Sequence, residues 1–432
     1  MTGVRTLVPR LPRGAWLLLG GDALSAVGSG LTLPFLLVYL HQVRGIGLDL
    51  AGLALATVAA AGLVGNPVGG ALGDRIGPRR TLALGLVLAA AGTASLAAVH
   101  SASHAFAAAA LYGLGSAIAW PAQDALLATL VPPEQRSAAF SVRHATLNAG
   151  LGAGAVTAAL AVSLASPSAL PALFVLDALS TLAFVPLALR LRGRAPSVDK
   201  GPADATERGG YREVLADRAF RRVLAVSALL VTAGYAQYHA AFPAYATGPG
   251  GLSPGVLGVA FAVNTFAVVT AQLVVLRLLG GRRRTHGIAL VGVAWAGSWA
   301  IALAAGGLGG GLAGAVAFGM VMVLFAIGET LLSPTLPALV NDLAPDYLRG
   351  RYNGASAVSW SGGFLAGPAL TGVAFSAGLA NGLLLGFVGA CSLAAAMALR
   401  LERRLPRQVN VVPGPERNRR AGAALVAAEV PA

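Results

Sequence analysis

Four carboxylates stand where a carboxylate is costly to keep. Asp22, Asp124, Asp177 and Glu329 each fall within a long apolar run of the chain. An acid that ionises in hydrocarbon is expensive, so each should face the interior of a helix bundle, a cavity or a partner. No Lys or Arg lies deep in a run beside any of them in sequence, because the basic residues sit at the run ends. That absence favours acids that are neutral part of the time, the property that proton coupling requires.

Asp22 is the first candidate for such chemistry. It stands early in the first run, in Gly20-Gly21-Asp22-Ala-Leu-Ser25, with Ser25 and Ser29 at the following helical turns. A polar stripe on an otherwise apolar helix is expected to face a cavity; the alternative is an interhelical hydrogen bond near its cytoplasmic end. Glu329, nearer the middle of the tenth run, could carry a proton, bind a cationic substrate, or do both in competition. Asp124 is close in depth to Arg136 and Arg143, which suits a structural or gating ion pair. Asp177, in Leu173-Phe-Val-Leu-Asp177-Ala-Leu, reads as a packing contact. Among neutral groups, Tyr235, Gln237, Tyr238 and His239 cluster in the seventh run. Asn264 and Gln272, about two turns apart in the eighth, share a helix face. These are cavity candidates, His239 a gating candidate because imidazole titrates near neutrality. Trp120, Trp295, Trp299 and Trp360 could give aromatic surface to a cavity or serve in packing.

The elements that position these residues follow from composition. Hydrophobic residues make up 56% of the chain and charged residues 11%, with mean hydropathy +0.72. Continuous apolar runs, not short alternating segments, recur over about 15–40, 50–72, 81–99, 104–128, 143–165, 170–189, 223–246, 254–276, 286–306, 312–339, 354–376 and 380–399, each near the roughly 20 residues a spanning helix needs. The expected fold is therefore an all-α polytopic membrane protein with twelve transmembrane helices. Of the 31 Lys and Arg, all but Arg44 fall in the tails or in alternate loops on one side. Positive charge stays cytoplasmic, so both termini are expected inside. Topology and attraction to anionic headgroups account for the net charge of +14 without a nucleic acid partner. Cys391 is the single cysteine, so no disulfide forms within the chain.

The longest polar stretch, 190–222, separates an N-terminal six-helix bundle (1–189) from a C-terminal one (223–400). It reads as a cytoplasmic linker with a short amphipathic helix around Tyr211 to Arg222. The tail, 401–432, is polar and Pro/Gly/Ala-rich and is expected to be largely disordered. The halves echo each other: one shift of 213 residues lays Pro121 on Pro334, Arg136 on Arg349, Gly150 on Gly363 and Gly154 on Gly367. Duplicated, pseudo-symmetric halves around a central cavity are an architecture of alternating-access transport.

The loop after the second run reads Gly70-Ala-Leu-Gly-Asp74-Arg75-Ile-Gly77-Pro-Arg79-Arg80. Gly77 permits a tight turn and Gly70 a close helix approach. Asp74, at the end of its helix, can pair with an arginine or meet a helix N-terminus. This segment resembles the signature loop of the major facilitator superfamily, of the form G-x-x-x-D-R-x-G-R-R. The equivalent site of the second half, Leu279-Gly280-Gly281-Arg282-Arg283-Arg284, keeps the basic run and has lost the acid. The resemblance covers about residues 15–400. It implies a latch between the halves, with Gly70, Asp74, Arg75, Gly77, Arg79 and Arg80 as its parts. Arg136 and Arg349, which the repeat superimposes, and Asp177 read as gating or structural polar groups.

The combined reading is a secondary active transporter, a proton-coupled exporter of small, partly hydrophobic compounds, similar to the drug-efflux branch of that family. A transporter of a sugar or other polar metabolite is the alternative, and a receptor or scaffold derived from a transporter is a further one. No Walker-type loop, metal-spaced cluster or nucleophile–base arrangement is visible, so neither an ATP-driven pump nor an enzyme is expected, and no cofactor beyond the proton as coupling ion. The expected setting is a monomer in a bacterial plasma membrane, with the bilayer and a small-molecule substrate as its partners.

Overall fold

The computed structural model describes residues 9–165, 170–191 and 210–414. Most of the expected linker, the Ser166–Ser168 loop and the end of the tail from residue 415 lie outside the described residues. The fold is all-α, with one isolated bridge, Arg283 to Val411, among the described residues. The long helices are α1 (Arg13–Thr32), α2 (Leu48–Ile76), α3 (Pro78–Ala97), α4 (Ala102–Leu130), α5 (Arg136–Ala165), α6 (Leu170–Arg190), α7 (Arg218–Ala233), α8 (Pro254–Leu279), α9 (Arg284–Ala305), α10 (Leu312–Leu332), α11 (Arg349–Ser376) and α12 (Ala380–Leu401). Among the described residues, 10 helical segments are long and apolar enough to cross a bilayer. The other two long helices, α5 and α11, have 30 and 28 residues.

Local chemistry sets the ends. Ser101 caps α4 by accepting from the His104 N–H at 3.2 Å, and Asp217 caps α7 by accepting from Ala219 and Phe220 N–H at 2.8 and 3.1 Å. Gly77, at φ 88°, stops α2 in a backbone shape that side chains disfavour, and Pro78 opens α3 at once.

Several run ends differ from the sequence expectation. The first run does not stay one helix to residue 40: beyond Thr32 it continues through a 3₁₀ turn holding Pro34 and a π turn over Tyr39–Val43. The seventh breaks after Ala233 into a 3₁₀ turn, Tyr235–Tyr238, and a short helix, Ala241–Thr247. A Cβ on Gly234 would lie 2.6 Å from the Leu230 carbonyl oxygen and would drive into the Trp295 ring, so the bend is built on glycine. The tenth breaks beside Pro334 before a second helix, Leu336–Leu343. The amphipathic helix expected over Tyr211 to Arg222 is split, with Tyr211–Ala216 separate and Arg218, Arg221 and Arg222 on α7. The fifth run begins at Arg136 rather than 143, which puts Arg143 inside a helix.

The start of the tail is ordered. The Gly281 N–H donates to the Val412 carbonyl at 2.8 Å, and the Val412 N–H donates back to Arg282 at 2.9 Å. Asn410 bonds Thr285 twice, at 3.0 Å each way. These residues supply partners for the otherwise unsatisfied N–H groups that begin α9.

Packing divides the chain into two compact units. Of the described residues, one unit comprises those of 10–214 and 344–361, the other those of 215–343 and 362–414. Residues 344–361, expected with the C-terminal half, therefore pack with the first unit. Within the first, α2 and α3 pack on α4, α3 on α6, and α1 on α5 and α6. Within the second, α8 and α9 pack on α10, α9 on α12, and α7 on α12. Shifting the helix numbers by six relates four of the first set to the second. The sequence repeat has the same physical content. Gly150 brings α5 within 2.9 Å of Ala23 and Ala26 on α1, measured from where a Cβ would stand. Gly363 and Gly367 bring α11 within 2.6 Å of Val231 and 2.9 Å of Ala236 in the same sense. Arg136 and Arg349 each open their helix after a 3₁₀ turn, Pro133–Gln135 and Asp346–Leu348.

Candidate functional site

Three clusters of polar groups stand out, two in the first unit and one in the second. At Asp74, Oδ1 accepts the Gly350 N–H at 2.6 Å, while Oδ2 accepts the Arg351 N–H at 3.1 Å and the Arg351 guanidinium at 2.9 Å. The carboxylate thus meets both kinds of partner open to it, a helix N-terminus and an arginine. Small residues make the approach possible. A Cβ on Gly70 would lie 2.6 Å from the Gly350 carbonyl oxygen, and one on Gly354 would lie 2.7 Å from that of Asn66. The Tyr211 hydroxyl adds a hydrogen bond to the Pro67 carbonyl at 2.7 Å. Burial and the nearby Asp74 carboxylate push the Tyr211 phenol up from its ordinary pKa, so it stays a donor. Arg75 and Arg80 are exposed and take no part in this bonding, and Arg79 reaches the Leu191 carbonyl at 3.4 Å. Gly350, Arg351, Gly354 and Tyr211 were missed from the sequence. The shift that aligned Arg136 with Arg349 pointed within two residues of Arg351.

The second cluster corrects the reading of Asp22. Arg143, buried on α5, donates from Nε to Asp22 Oδ2 at 2.9 Å and from Nη1 to Asp124 Oδ1. Its guanidinium also lies 4.7 Å from the Trp120 ring centre. Asp22 is thus not an acid without a cation, as its sequence neighbours suggested. The charge partner is 121 residues away on another helix. Asp124 does have the ion pair expected of it, made with Arg143, whereas Arg136 reaches the Ala128 carbonyl at 3.3 Å. The stripe on α1 continues in the same manner. Ser25 bonds the Thr181 hydroxyl at 3.2 Å, Ser29 bonds Tyr112, and Thr32 donates to Asp177 at 2.7 Å. The stripe expected to face a cavity is instead consumed in hydrogen bonds to α4, α5 and α6, because buried polar groups need partners. Asp177 ties α6 to α1.

Glu329 has different surroundings. It is 5% exposed on α10. Oε2 accepts from the Asn264 amide at 3.0 Å, and the Tyr235 hydroxyl also hydrogen-bonds the carboxyl group. Tyr238 donates to Asn264 Oδ1 at 3.3 Å. The phenols beside the group belong to an aromatic cluster: Trp295 stacks on Phe325 at 4.9 Å, Tyr235 meets Trp295 edge-on at 6.1 Å, and Tyr238 lies 5.4 Å from Phe325. Among the described residues no Lys or Arg pairs with Glu329. The structure therefore brings together Glu329, Tyr235, Tyr238 and Asn264 from three separate runs.

The remaining candidates lie elsewhere. Gln237 accepts from Thr371 at 2.8 Å and ties its turn to α11, and Gln272 donates to Ser333 at 2.8 Å. His239 is exposed beside the Tyr238 ring, 4.7 Å away. Arg349 pairs with Asp346, three residues before it. Trp295 and Trp299 are buried and donate to the Phe325 and Ala233 carbonyls at 3.1 and 2.8 Å, a packing role. Cys391 is fully buried in α12. Among the described residues no group of His, Cys, Asp and Glu could hold a metal ion.

An all-α chain with a repeated packing scheme and ten helical segments, among the described residues, able to cross a bilayer has the build of a multi-pass membrane protein. The sequence pattern of the Major Facilitator Superfamily matches residues 18–368, and the chain belongs to that family. It is a secondary active transporter that moves small molecules by alternating access, not an enzyme. It is 26% identical over 380 residues, 84% of this chain and 88% of the other, to the uncharacterized MFS-type transporter YttB of Bacillus subtilis. A shorter match to the quinolone resistance protein NorA of Staphylococcus aureus is 31% identical over 130 residues, 30% of this chain and 33% of NorA. Among solved structures, a bacterial homologue of the iron transporter ferroportin, outward-facing, superimposes with TM-score 0.74 at 18% identity, covering 91% of this chain and all of that one. A point variant of the Escherichia coli fucose:proton symporter FucP gives 0.72 at 16% identity over 90% and 98% of the two chains. These last two likenesses concern the fold alone.

Proposed function

We propose that the protein is a proton-coupled exporter of small, partly hydrophobic compounds, with Glu329 as the group that exchanges protons and meets cationic substrate. The observation that carries this reading is the cage of Glu329, where neutral amide and phenol donors and aromatic rings surround a buried acid with no cation paired to it. Such a group can take up and release a proton without breaking an ion pair. Aromatic faces suit a flat or cationic organic molecule better than a polyol, which would call for several converging amides. The partial likeness to a quinolone resistance protein supports the same class. Asp22, held by Arg143, serves structure and gating in this reading, as do Asp124 and Asp177.

Alternating arginine-rich ends support twelve crossings, with α5 and α11 completing the ten apolar segments. They also support both termini on the cytoplasmic side of a bacterial plasma membrane. Asp74 works as a latch on the first turn of α11, made by its bonds to Gly350 and Arg351 and released in the transport cycle. A monomer suffices, since each copy carries all the named groups.

The test is proton movement in proteoliposomes under an imposed pH gradient, with cationic dyes, antibiotics and sugars added in turn. Proton flux triggered by a lipophilic cation and lost in Glu329→Gln supports the reading. Compound flux unchanged in Glu329→Gln sinks the role of Glu329, and flux triggered by sugars alone sinks the substrate class.

A further inference from the structure

The arginines at the start of α7 are placed against electrostatics. Arg218, Arg221 and Arg222 stand at the positive end of the helix dipole, where acidic residues are favoured, with the capping Asp217 as the one acid against three arginines there. Across from them, Arg400 ends α12, and Arg403 and Arg404 follow in the turn Glu402–Arg404. Arg222, Arg400, Arg403 and Arg404 line one cavity of about 410 Å³, whose apolar wall is Val226, Met397 and Leu401. Arg218, Arg221 and Arg222 line a second of about 380 Å³. Arg222 belongs to both.

Among the described residues, none of the four arginines of the first cavity is paired with a carboxylate. Glu402, the acid within this stretch, is turned away to Arg283 and His286. Four like charges converging on a helix N-terminus repel one another unless an anion joins them. Planar guanidinium groups match phosphate oxygens in two-point hydrogen bonds. Of that apolar wall Val226 and Leu401 are buried and Met397 is part-exposed, while Leu393 and Leu399 on α12 are half-exposed, at 51% and 49%. A soluble anion has no use for that surface, whereas acyl chains do.

We propose that the two arginine-lined lobes form a site for an anionic phospholipid carrying two phosphodiester groups, one in each lobe with Arg222 between them. The chains lie along Met397 and the outer face of α12, where Leu393 and Leu399 are exposed. A basic pocket between helix ends, at the depth of the headgroups, suits such a lipid.

The purified protein tests this in native mass spectrometry and in thermal unfolding with added diphosphatidylglycerol, phosphatidylglycerol or inorganic phosphate. Diphosphatidylglycerol should be retained and should raise the unfolding temperature more than either other anion. Arg222→Gln should weaken its binding about fivefold, and the Arg222→Gln/Arg400→Gln/Arg404→Gln variant on the order of a hundredfold. Arg80→Gln, an exposed arginine of the other unit, should leave binding unchanged. All these side chains are exposed, so the variants should fold, as lipid-free unfolding temperatures equal to the parent's would show. Equal retention by the parent and the triple variant overturns the site. Equal stabilisation by phosphatidylglycerol overturns the two-phosphate assignment, and equal stabilisation by inorganic phosphate overturns the lipid.

Discussion

Glu329 and Asp22 look alike in sequence, each an acid in an apolar run, and their surroundings separate them. Glu329 is held by Asn264 and Tyr235, and Asp22 by a guanidinium. Glu329→Gln keeps one acceptor oxygen and the side-chain volume and removes the proton site, so gradient-driven flux should vanish while unfolding temperature falls little. Asn264→Ala should weaken that flux without abolishing it, since Tyr235 still bonds the acid; a full loss would show that Asn264 does more than hold Glu329. For Arg143 the expectation concerns stability. Arg143→Met leaves Asp22 and Asp124 buried without their cation, a loss on the order of 3–5 kcal/mol for a broken buried pair. The triple variant Asp22→Asn/Asp124→Asn/Arg143→Met removes all three charges and should recover most of the lost unfolding temperature in detergent. If the triple variant is no more stable than Arg143→Met, repulsion between the two acids is not the cause.

At the scale of elements, Asp74 replaces the missing cap of α11. Its two oxygens satisfy the Gly350 and Arg351 N–H groups, a task a residue of the helix itself usually performs. Asp74→Asn keeps one acceptor and loses the charge, so membrane insertion should persist while transport collapses. Gly350→Ala should do the same by steric means, because its Cβ would stand 2.6 Å from Asp74 Oδ1. Gly73→Ala, whose Cβ would meet no atom nearer than 3.7 Å, is the matched control and should transport normally. Transport by Gly350→Ala equal to that of Gly73→Ala would remove the latch. Sequence made half of this visible. The acid, the turn glycine and the basic run stand together over eleven residues, whereas Gly350 and Arg351 lie 276 and 277 residues away. The same limit hid Arg143 from Asp22. Local patterns report periodicity and caps, and say little about which distant helix supplies a partner. The bend at Gly234 was hidden for a related reason, since it depends on the Trp295 ring.

For the whole molecule, legibility was greatest where hydropathy and repetition speak together. Apolar runs located the long helices, and the offset of 213 residues joined positions that do the same work, the glycines of α5 and α11 against α1 and α7. Helix ends and the ordered start of the tail were read less well. Pro34 and Pro334 mark backbone breaks whereas Pro67, Pro121, Pro186 and Pro368 stay inside helices, so proline alone did not locate them, and the docking of Asn410 on Thr285 is decided by neighbours in space. Orientation rests on the arginines, and it can be checked directly because Cys391 is fully buried. Thr247 and Gln408 are exposed at the two expected faces. An impermeant maleimide added to intact cells should label Thr247→Cys at once, and Gln408→Cys only after permeabilisation. The bias of Lys and Arg toward one set of loops makes this the favoured insertion, because moving a positively charged loop outward opposes the membrane potential. Labelling of Gln408→Cys in intact cells would place the tail outside and invert every helix. The lipid site between α7 and α12 would then face the opposite leaflet.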